Sequence, residues 1–322
     1  MQYRRLGASG LKLSSLSFGS WVTFNKQVDA NLAEAMFGTC FDAGINFFDN
    51  AEGYEAGGSE IVMGKALKSL ARPRDSYCVS SKVFFGATET PLPTQTGLSR
   101  KHITEACHQA MKRLQVDYLD LYFCHRPDPD TPVSETVWAM HNLVTQGKVL
   151  YWGTSEWDAG QIAEAYEFAH DNHLTAPTME QPQYNLLDRE RFEVEYAPIF
   201  EKYGLGTTTW SPLASGALTG KYLAGIPAGS RASLAGYEWL KKHMVESDRG
   251  QDRMKRVAQF LPIAEALGTT PSKLAIAWCL LNPNVSTVIL GASRIEQLEE
   301  NLAAADVVSL IDDDIRAQLE AI

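Results

Sequence analysis

Four polar side chains of this sequence could together carry acid–base chemistry: Asp49, Tyr54, Lys82 and His125. Asp49 and Lys82 each end an apolar segment that is typical of a buried strand, and Tyr54 follows shortly after Asp49. A free phenol has a pKa of about 10 and is a poor acid near neutrality. A nearby ammonium lowers that pKa, and a carboxylate can hold the ammonium in place. The set therefore predicts a tyrosine that donates a proton.

Each of these side chains also has a purely structural interpretation. Asp49 and Lys82 could form a buried ion pair without a catalytic role, and His125 taken alone could be a core histidine. A buried ion pair is costly to desolvate, so its presence needs a reason, and Tyr54 supplies one. Both interpretations stay open on these residues alone.

The elements that must position these residues follow a repeating order. Short apolar β-type segments alternate with longer segments of helical spacing. We expect strands at 16–19, 45–49, 77–82, 119–125, 149–155, 178–181, 206–210 and 286–291. We expect helices at 30–43, 59–70, 101–114, 133–146, 159–171, 189–203, 252–267 with 271–281, and 294–304. Ser99 and Pro271 are typical helix-start residues. Eight strand–helix units predict a (β/α)8 TIM barrel, with residues 1–322 as a single domain.

Two segments fall outside this alternation. The opening YRRLGASGLKLSSL predicts an N-terminal β-hairpin with Ala-Ser-Gly at its turn. The segment 211–251 is rich in Gly and Ser and is too long for an ordinary βα loop, which predicts a functional loop that covers a ligand. No G-x-G-x-x-G follows any predicted strand, so a dinucleotide would have to bind without that fingerprint.

Functional residues of such barrels gather at the carboxyl ends of the strands. Nearly every predicted strand end carries polar, aromatic or small residues that could face one pocket: Gly19, Trp21, Asp49, Lys82, His125, Ser155, Gln181, Trp210, Ser211, Gly291 and Ser293. Together they predict a single central site.

Composition excludes several classes of protein. The net charge of −10 argues against nucleic-acid binding, which normally needs a basic face. The sequence contains no uninterrupted run of eighteen apolar residues, so it predicts no membrane-spanning helix, and its N-terminus lacks an apolar signal core. We therefore expect a cytoplasmic protein. The 5 cysteines contain no C-x-x-C pair, and we expect neither a disulfide framework nor a metal site.

The pattern D-x-A-x-x-Y, with Lys82 and His125 at later strand ends, resembles the catalytic tetrad of the aldo-keto reductases. The resemblance covers almost the entire chain and is closest to the branch of the voltage-gated potassium channel β subunits and their bacterial relatives. It is carried by SWVTF (20–24), GLSRKHI (97–103), RPDP-TP (126–132), YWGTS (151–155), WSPLASG (210–216), GKY (220–222), SRASLAGYEWLK (230–241), LAIAWCL (274–280) and GAS (291–293).

The resemblance implies an NADP-dependent aldo-keto reductase of the alcohol dehydrogenase or carbonyl reductase type. Tyr54 of the tetrad Asp49, Tyr54, Lys82 and His125 would protonate the carbonyl oxygen as hydride arrives from NADPH. Ser155 and Gln181 would bind the nicotinamide carboxamide, and Trp210 would stack on the ring. Trp21 and Gln27 would line the mouth of the site, and the cofactor-binding residues would also include Ser20 and Asp49. The pyrophosphate would be wrapped by Ser211, Pro212, Leu213, Ala214 and Ser215, aided by Lys221 and Arg231. The adenosine end would be held by Gly291, Ser293, Arg294, Gln297, Glu300 and Asn301.

A predicted helix start and two arginines agree with the implied preference for NADP. Ser293 precedes a predicted helix whose N-terminus can receive phosphate. Arg231 or Arg294 can pair with a ribose 2′-phosphate, and the alternative for Arg294 is a solvated helix-start arginine.

The sequence departs from the channel subunits at three positions. The animal subunits have Asn where this chain has His125, Arg where it has Glu156, and Tyr where it has Gly229. Because of His125 we expect a working reductase of small carbonyl compounds. The alternative is a channel-type accessory subunit that senses redox state with little turnover. The branch also implies a homo-oligomer, a tetramer or larger.

Overall fold

The computed structural model describes residues 1–21, 30–227, 230–233 and 242–322. The strands are β1 Tyr3–Arg5, β2 Lys12–Ser14, β3 Leu16–Gly19, β4 Phe47–Asp49, β5 Cys78–Val83, β6 Leu119–Cys124, β7 Val149–Thr154, β8 Met179–Glu180, β9 Gly206–Thr209 and β10 Thr287–Leu290. The α-helices are α1 Ala30–Asp42, α2 Gly58–Leu70, α3 Arg100–Leu114, α4 Val133–Thr145, α5 Ala159–Asp171, α6 Ala197–Tyr203, α7 Asp248–Ala266, α8 Pro271–Leu281, α9 Ile295–Leu302, α10 Ala304–Val307 and α11 Asp313–Glu320.

Strands β3 to β10 close into a parallel barrel, in which β10 pairs with both β9 and β3. Consecutive strands are neighbours all the way round, as expected when each helix returns the chain to the next position of the sheet. Neighbouring helices of the series from α1 to α6 pack against one another outside the strands. The predicted (β/α)8 barrel is confirmed.

The N-terminal hairpin of β1 and β2 covers one end of the barrel. Leu6 and Leu13 of this hairpin cluster with inward-facing strand residues such as Phe47 and Phe123. Gly7 between the two strands has a φ of +55°, and a Cβ there would lie 2.3 Å from the carbonyl oxygen of Gly204. This contact requires glycine, and it seats the hairpin on the chain just before β9. The hairpin therefore closes the amino end of the barrel and leaves the carboxyl end for the site.

Alternation along the strands separates an apolar floor from a polar upper layer. Phe47 and Asp49 of β4 point to the same side because successive strand residues alternate between the two faces. Phe123 and His125 share a side of β6 in the same way. The larger apolar cluster lies between the strands and the helices. The polar side chains Asp49 and His125 thus lie in one layer of the barrel interior, above the apolar layer of Phe47 and Phe123.

The helix starts follow local capping chemistry. The side chain of Ser99 accepts a hydrogen bond from the backbone of His102 at the start of α3. Thr270 accepts one from Lys273, with Pro271 in the first turn of α8. Both starts were expected from the sequence, since these residue types satisfy otherwise unpaired amides or need no amide partner.

Most predicted bounds differ from the observed ones by no more than two residues at either end, but three predicted helices need a further correction. The segment 189–203 is not one helix, because a π-type turn at Arg191–Glu195 precedes the short helix α6. Helix α7 begins at Asp248, earlier than predicted, because Ser247 caps its first turn. The predicted helix 294–304 ends at Leu302, and two further helices, α10 and α11, follow it.

No helix within residues 1–21, 30–227, 230–233 and 242–322 is both long enough and apolar enough to span a membrane.

Candidate active site

A cavity of about 730 Å³ opens at the carboxyl ends of the barrel strands. It is lined by many of the residues predicted from the strand ends, namely Trp21, Asp49, Tyr54, His125, Ser155, Gln181, Trp210, Ser211, Pro212, Leu213, Ser215, Lys221, Gly291, Ser293, Arg294, Gln297, Glu300 and Asn301. The tertiary structure therefore brings together residues separated by most of the length of the chain.

The other predicted site residues have different positions. Lys82 is fully buried behind the cavity wall, and Ala214 is buried in the wall formed by the segment that follows β9. Ser20 is also buried, and its hydroxyl donates to the backbone oxygen of Asp49. Gln27 and Gly229 lie outside the described residues, as does the side chain of Arg231.

Lys82 is the centre of a compact polar cluster. Its ammonium donates to the carboxylate of Asp49 at 2.7 Å, to the backbone oxygen of Asn50 at 2.9 Å and to the phenolic oxygen of Tyr54 at 3.0 Å. These bonds use all three ammonium protons. Ser80 and Gln181 donate to the second carboxylate oxygen of Asp49, at 2.7 and 3.0 Å. The buried charge pair is thus held by hydrogen bonds on both sides.

Burial and charge act in opposite directions on this cluster. Burial lowers the pKa of Lys82, but Asp49 and Tyr54 raise it by more in sum, so the side chain is an ammonium. Burial raises the pKa of Tyr54, and Lys82 lowers it only in part, so the net pKa lies above its usual value. The expected net lowering was therefore wrong in direction, because desolvation of the phenolate outweighs the neighbouring ammonium. Tyr54 is a neutral phenol in this state.

The proton of this phenol is directed by Lys82. Since Lys82 donates to the phenolic oxygen, the O–H of Tyr54 has to donate elsewhere. Tyr54 lines the cavity, and its free proton can therefore reach an acceptor bound there.

His125 lies beside Tyr54 at the end of β6. Its ring meets the ring of Tyr54 edge to face at a centroid distance of 5.8 Å, and that of Phe85 at 5.1 Å. Burial, with the charges of Lys82 and Arg126, holds the pKa of His125 well below its usual value. Its buried Nδ1 has no hydrogen-bond partner among the residues that the structure describes. A neutral imidazole can thus donate a hydrogen bond to an oxygen without adding a charge.

Gln181 and Ser155 form the wall next to this cluster. The amide nitrogen of Gln181 donates to Asp49 and to Thr208, at 3.0 and 3.1 Å, and Ser155 donates to the backbone oxygen of Gln181. The side-chain oxygens of Gln181 and Ser155 keep their capacity to accept hydrogen bonds. This arrangement suits a ligand whose amide N–H groups donate hydrogen bonds to these two oxygens.

Trp210 presents an aromatic surface to the cavity and is fixed by Glu156. Its indole nitrogen donates to Glu156 at 2.9 Å, and its ring meets Trp21 edge to face at 6.1 Å. The same carboxylate accepts from the backbone of Gln183 at 2.6 Å and pairs with Arg191 at 2.9 Å. In the sequence, Glu156 is distinguished only as a departure from a family pattern. Its link to Trp210, across 54 residues, had no local signal apart from its position at a strand end.

The segment after β9 forms the next part of the wall. Ser215 and Gly216 have left-handed backbone conformations, with φ of 56° and 91°. A Cβ at position 216 would lie 2.6 Å from the Nζ of Lys221, so glycine lets this ammonium pack over the turn. Lys221 also lies 5.1 Å from the ring centre of Tyr222. The segment thus places the ammonium of Lys221 and the backbone of Ser215 and Gly216 at the cavity wall.

Helix α9 closes the far end of the cavity. Ser293 donates from its backbone and its hydroxyl to the side chain of Gln297, both at 3.1 Å. Arg294 occupies the cap position without a side-chain cap bond, and Asn301 donates to the backbone oxygen of Gly291 at 3.4 Å. The first amides of this helix and Arg294 thus offer positive potential to an anion.

Comparison with known proteins gives consistent results. Residues 15–322 match the model of the Aldo/keto reductase family. A probable voltage-gated potassium channel subunit beta of Oryza sativa subsp. japonica is 48% identical over 323 residues, which span 100% of this chain and 96% of that protein. The protein of the same name from Arabidopsis thaliana is 48% identical, over 97% of this chain and 93% of its own length. A putative voltage-gated potassium channel subunit beta of Schizosaccharomyces pombe is 46% identical, over 99% and 92%.

Proposed function

Because the chain belongs to the aldo/keto reductase family, and is thus an oxidoreductase of a family that uses NAD(P)H, we propose that it reduces aldehydes and ketones with NADPH. In this proposal Asp49, Tyr54, Lys82 and His125 are the catalytic residues. The observation that carries it is the buried ammonium of Lys82, which contacts both the carboxylate of Asp49 and the phenol of Tyr54 at the cavity wall.

The shape and chemistry of the cavity fit a nicotinamide dinucleotide. Its volume of about 730 Å³ lies within the range of about 300–1,000 Å³ for small-molecule and cofactor sites. Trp210 offers a ring for stacking, and the side-chain oxygens of Gln181 and Ser155 can accept from a carboxamide. Lys221 and Arg294 supply positive charge where phosphates would lie. We place the specificity for NADP over NAD on this positive charge.

The mechanism follows from the contacts of Tyr54. The bound cofactor supplies the hydride that adds to the carbonyl carbon. His125, as a neutral donor, orients the carbonyl oxygen beside the phenol. As negative charge develops on that oxygen, Tyr54 gives it a proton, and the ammonium of Lys82 stabilises the phenolate left behind. A solvent proton then restores the phenol, so that one carbonyl, one hydride and one proton become one alcohol.

The test of this function is NADPH oxidation, followed by absorbance, with a panel of small neutral aldehydes and ketones. Tyr54→Phe removes only the transferable proton, so turnover should fall about 10²–10⁴-fold. Fluorescence titration should show that the variant still binds NADPH. Unchanged turnover on every substrate would refute the role of Tyr54.

A second candidate function is that of a channel accessory subunit with little turnover. The names of the relatives, as potassium channel β subunits, favour it. The site favours catalysis, since His125 adds a neutral hydrogen-bond donor directly beside the phenol. Tight NADPH binding without measurable oxidation by any aldehyde would support the accessory function instead.

We further propose that the segment 211–251 acts as a cover over the cofactor phosphates, because several of its described residues line the cavity, among them Ser215, Lys221 and Ser230. Slow opening of such a cover would make cofactor release limit turnover. Stopped-flow mixing should then show a burst of NADPH oxidation before a slower steady state. A full isotope effect of deuterated NADPH on the steady state, without a burst, would exclude this role.

Self-association and cellular location also remain proposals. The resemblance to the channel β subunits supports a homo-oligomer, a tetramer or larger, which light scattering on the purified chain would measure. Fractionation of cells would test the expected cytoplasmic location.

A further inference from the structure

Arg126 is a cation at the reactive part of the cavity. It follows His125 directly and lines the cavity together with Tyr54 and Phe85. Its positive charge adds to the lowering of the pKa of His125, and it opposes the larger effect by which burial raises the pKa of Tyr54. The guanidinium therefore lies within electrostatic reach of the place where a carbonyl oxygen would be protonated.

The contacts of Arg126 leave most of its donors unused. One NH1 proton goes to the backbone oxygen of His125 at 2.5 Å, and the guanidinium lies 5.8 Å from the ring centre of Phe85. A guanidinium has five N–H donors. The remaining donors are available to a ligand, because the side chain is half-buried at the cavity rather than turned away from it.

Several other partly buried arginines of this chain are neutralised by carboxylates, whereas Arg4 and Arg256 donate to backbone oxygens instead. Arg74 pairs with Asp120 at 2.5 Å, and Arg113 pairs with Glu60 at 2.6 Å. Across residues 1–21, 30–227, 230–233 and 242–322, no ion pair of Arg126 is found. Asp49, the carboxylate nearest the reacting groups, is already occupied by Lys82. Among these residues, therefore, no carboxylate balances the charge of Arg126.

An anionic substrate would supply the missing partner. Carboxylates and phosphates accept two parallel hydrogen bonds from one guanidinium, a geometry that a neutral substrate cannot offer. Closure of the cavity by substrate removes water and strengthens this attraction. Phe85, which is 47% exposed, offers an apolar surface between the guanidinium and His125 for the body of such a molecule.

We propose that Arg126 determines substrate specificity by binding an oxyanion, carboxylate or phosphate, on the carbonyl compound that is reduced. The inference rests on the proposed function, in which Tyr54 protonates the carbonyl. The preferred substrates are then small aldehydes or ketones with an apolar body and an acidic group. The oxyanion takes no part in the reaction and serves only to hold the substrate.

Matched substrates test this proposal. The carboxylate probes are 3- and 4-carboxybenzaldehyde, the phosphate probe is 4-formylphenyl phosphate, and the neutral partners are the methyl esters of the two carboxybenzaldehydes. Since a charged hydrogen bond is worth a factor of about 10 to 100, kcat/KM for at least one anionic probe should exceed that of its neutral partner by at least about tenfold. Most of the difference should be in KM. The carboxylate and phosphate arms show which oxyanion fits.

Variants connect the preference to Arg126. The ratio of anionic to neutral kcat/KM within each variant cancels any general loss of activity. Arg126→Met should bring the ratio close to one, and Arg126→Lys, which keeps the charge but not the paired donors, should give an intermediate ratio. Arg100→Met, at an exposed position on α3, is the control for a lost charge and should keep the wild-type ratio.

Two results would overturn the proposal. In the first, wild-type protein reduces neutral and anionic aldehydes equally well, which leaves the reductase function intact. In the second, Arg126→Met weakens NADPH binding in fluorescence titration and keeps the anionic preference, which would assign Arg126 to the cofactor.

Binding decides the matter if no aldehyde is reduced at all. In that case the proposed function fails, and calorimetry with 4-(hydroxymethyl)benzoate on the NADP-loaded protein tests Arg126 separately. Binding that is lost in Arg126→Met and absent for the methyl ester supports the anion site. Equal binding by both protein forms contradicts it.

Discussion

The buried pair of Lys82 and Asp49 should serve both stability and catalysis, and comparison of a single variant with a double variant can separate the two. Lys82 is 0% exposed and makes hydrogen bonds to Asp49, Asn50 and Tyr54. Lys82→Met removes all three and leaves the carboxylate of Asp49 buried, with Ser80 and Gln181 as its remaining donors. Breaking a buried ion pair from one side costs about 3–5 kcal/mol of unfolding free energy.

The double variant Asp49→Asn with Lys82→Met removes both charges. Neutral replacement of a buried pair is often close to neutral in stability, because no uncompensated charge remains. We therefore expect the double variant to be more stable than Lys82→Met, and turnover to fall by about 10²–10⁴-fold in both. Without the ammonium only the smaller effect of Arg126 opposes that of burial on the pKa of Tyr54, so the phenol becomes a still weaker acid.

Urea denaturation measures the first quantity and NADPH oxidation the second. The exposed pair Lys101–Glu105 is the control, and Lys101→Met should cost less than about 1 kcal/mol, as surface pairs do. Two results would refute the reasoning. One is a Lys82→Met variant as stable as wild type, and the other is a double variant that keeps full turnover.

Three further predictions each concern one residue. Glu156→Ala should weaken cofactor binding several-fold, because the indole nitrogen of Trp210 loses its acceptor, whereas Glu156→Gln should retain much of the affinity. Quenching of tryptophan fluorescence by NADPH measures the affinity of both variants, and equal losses would count against the contact. Arg294→Ala should lower the affinity for NADP about tenfold or more and leave that for NAD nearly unchanged, which parallel titrations with the two cofactors would check; an equal loss for both would show that Arg294 does not read the 2′-phosphate. Burial raises the pKa of Glu180 from 4.5 to about 8, so between these pH values the folded chain keeps a proton on Glu180 that the unfolded chain releases. The free energy of unfolding should therefore fall as the pH rises from 4.5 to about 8, by at most about 1.4 kcal/mol per pH unit. Glu180→Gln should flatten this dependence in urea denaturation at pH 5, 6.5 and 8, and an unchanged slope would contradict it.

Local patterns were sufficient for the architecture. The alternation of apolar β-type segments with helical spacing predicts all eight strands of the barrel, because each strand buries both faces and each helix buries one. The hairpin and the starts of α3 and α8 follow from turn and cap chemistry over a few residues. The positions of Asp49, Lys82 and His125 follow as well, since strand ends of one barrel meet at one rim. Their convergence at the cavity required only that the barrel close.

The tertiary structure alone decided the properties that depend on burial and on distant contacts. The net pKa direction of Tyr54 depends on how much water the fold removes from the phenol, which no spacing reveals. The hydrogen bond from Trp210 to Glu156 likewise depends on which neighbours the closed barrel places around it. The same holds for Arg126, whose charge is not paired by a carboxylate among the described residues. The π-type turn at Arg191–Glu195 divides a segment whose periodicity reads as one helix. Periodicity records which face of an element is buried, whereas desolvation and pairing are set by residues far away in the chain.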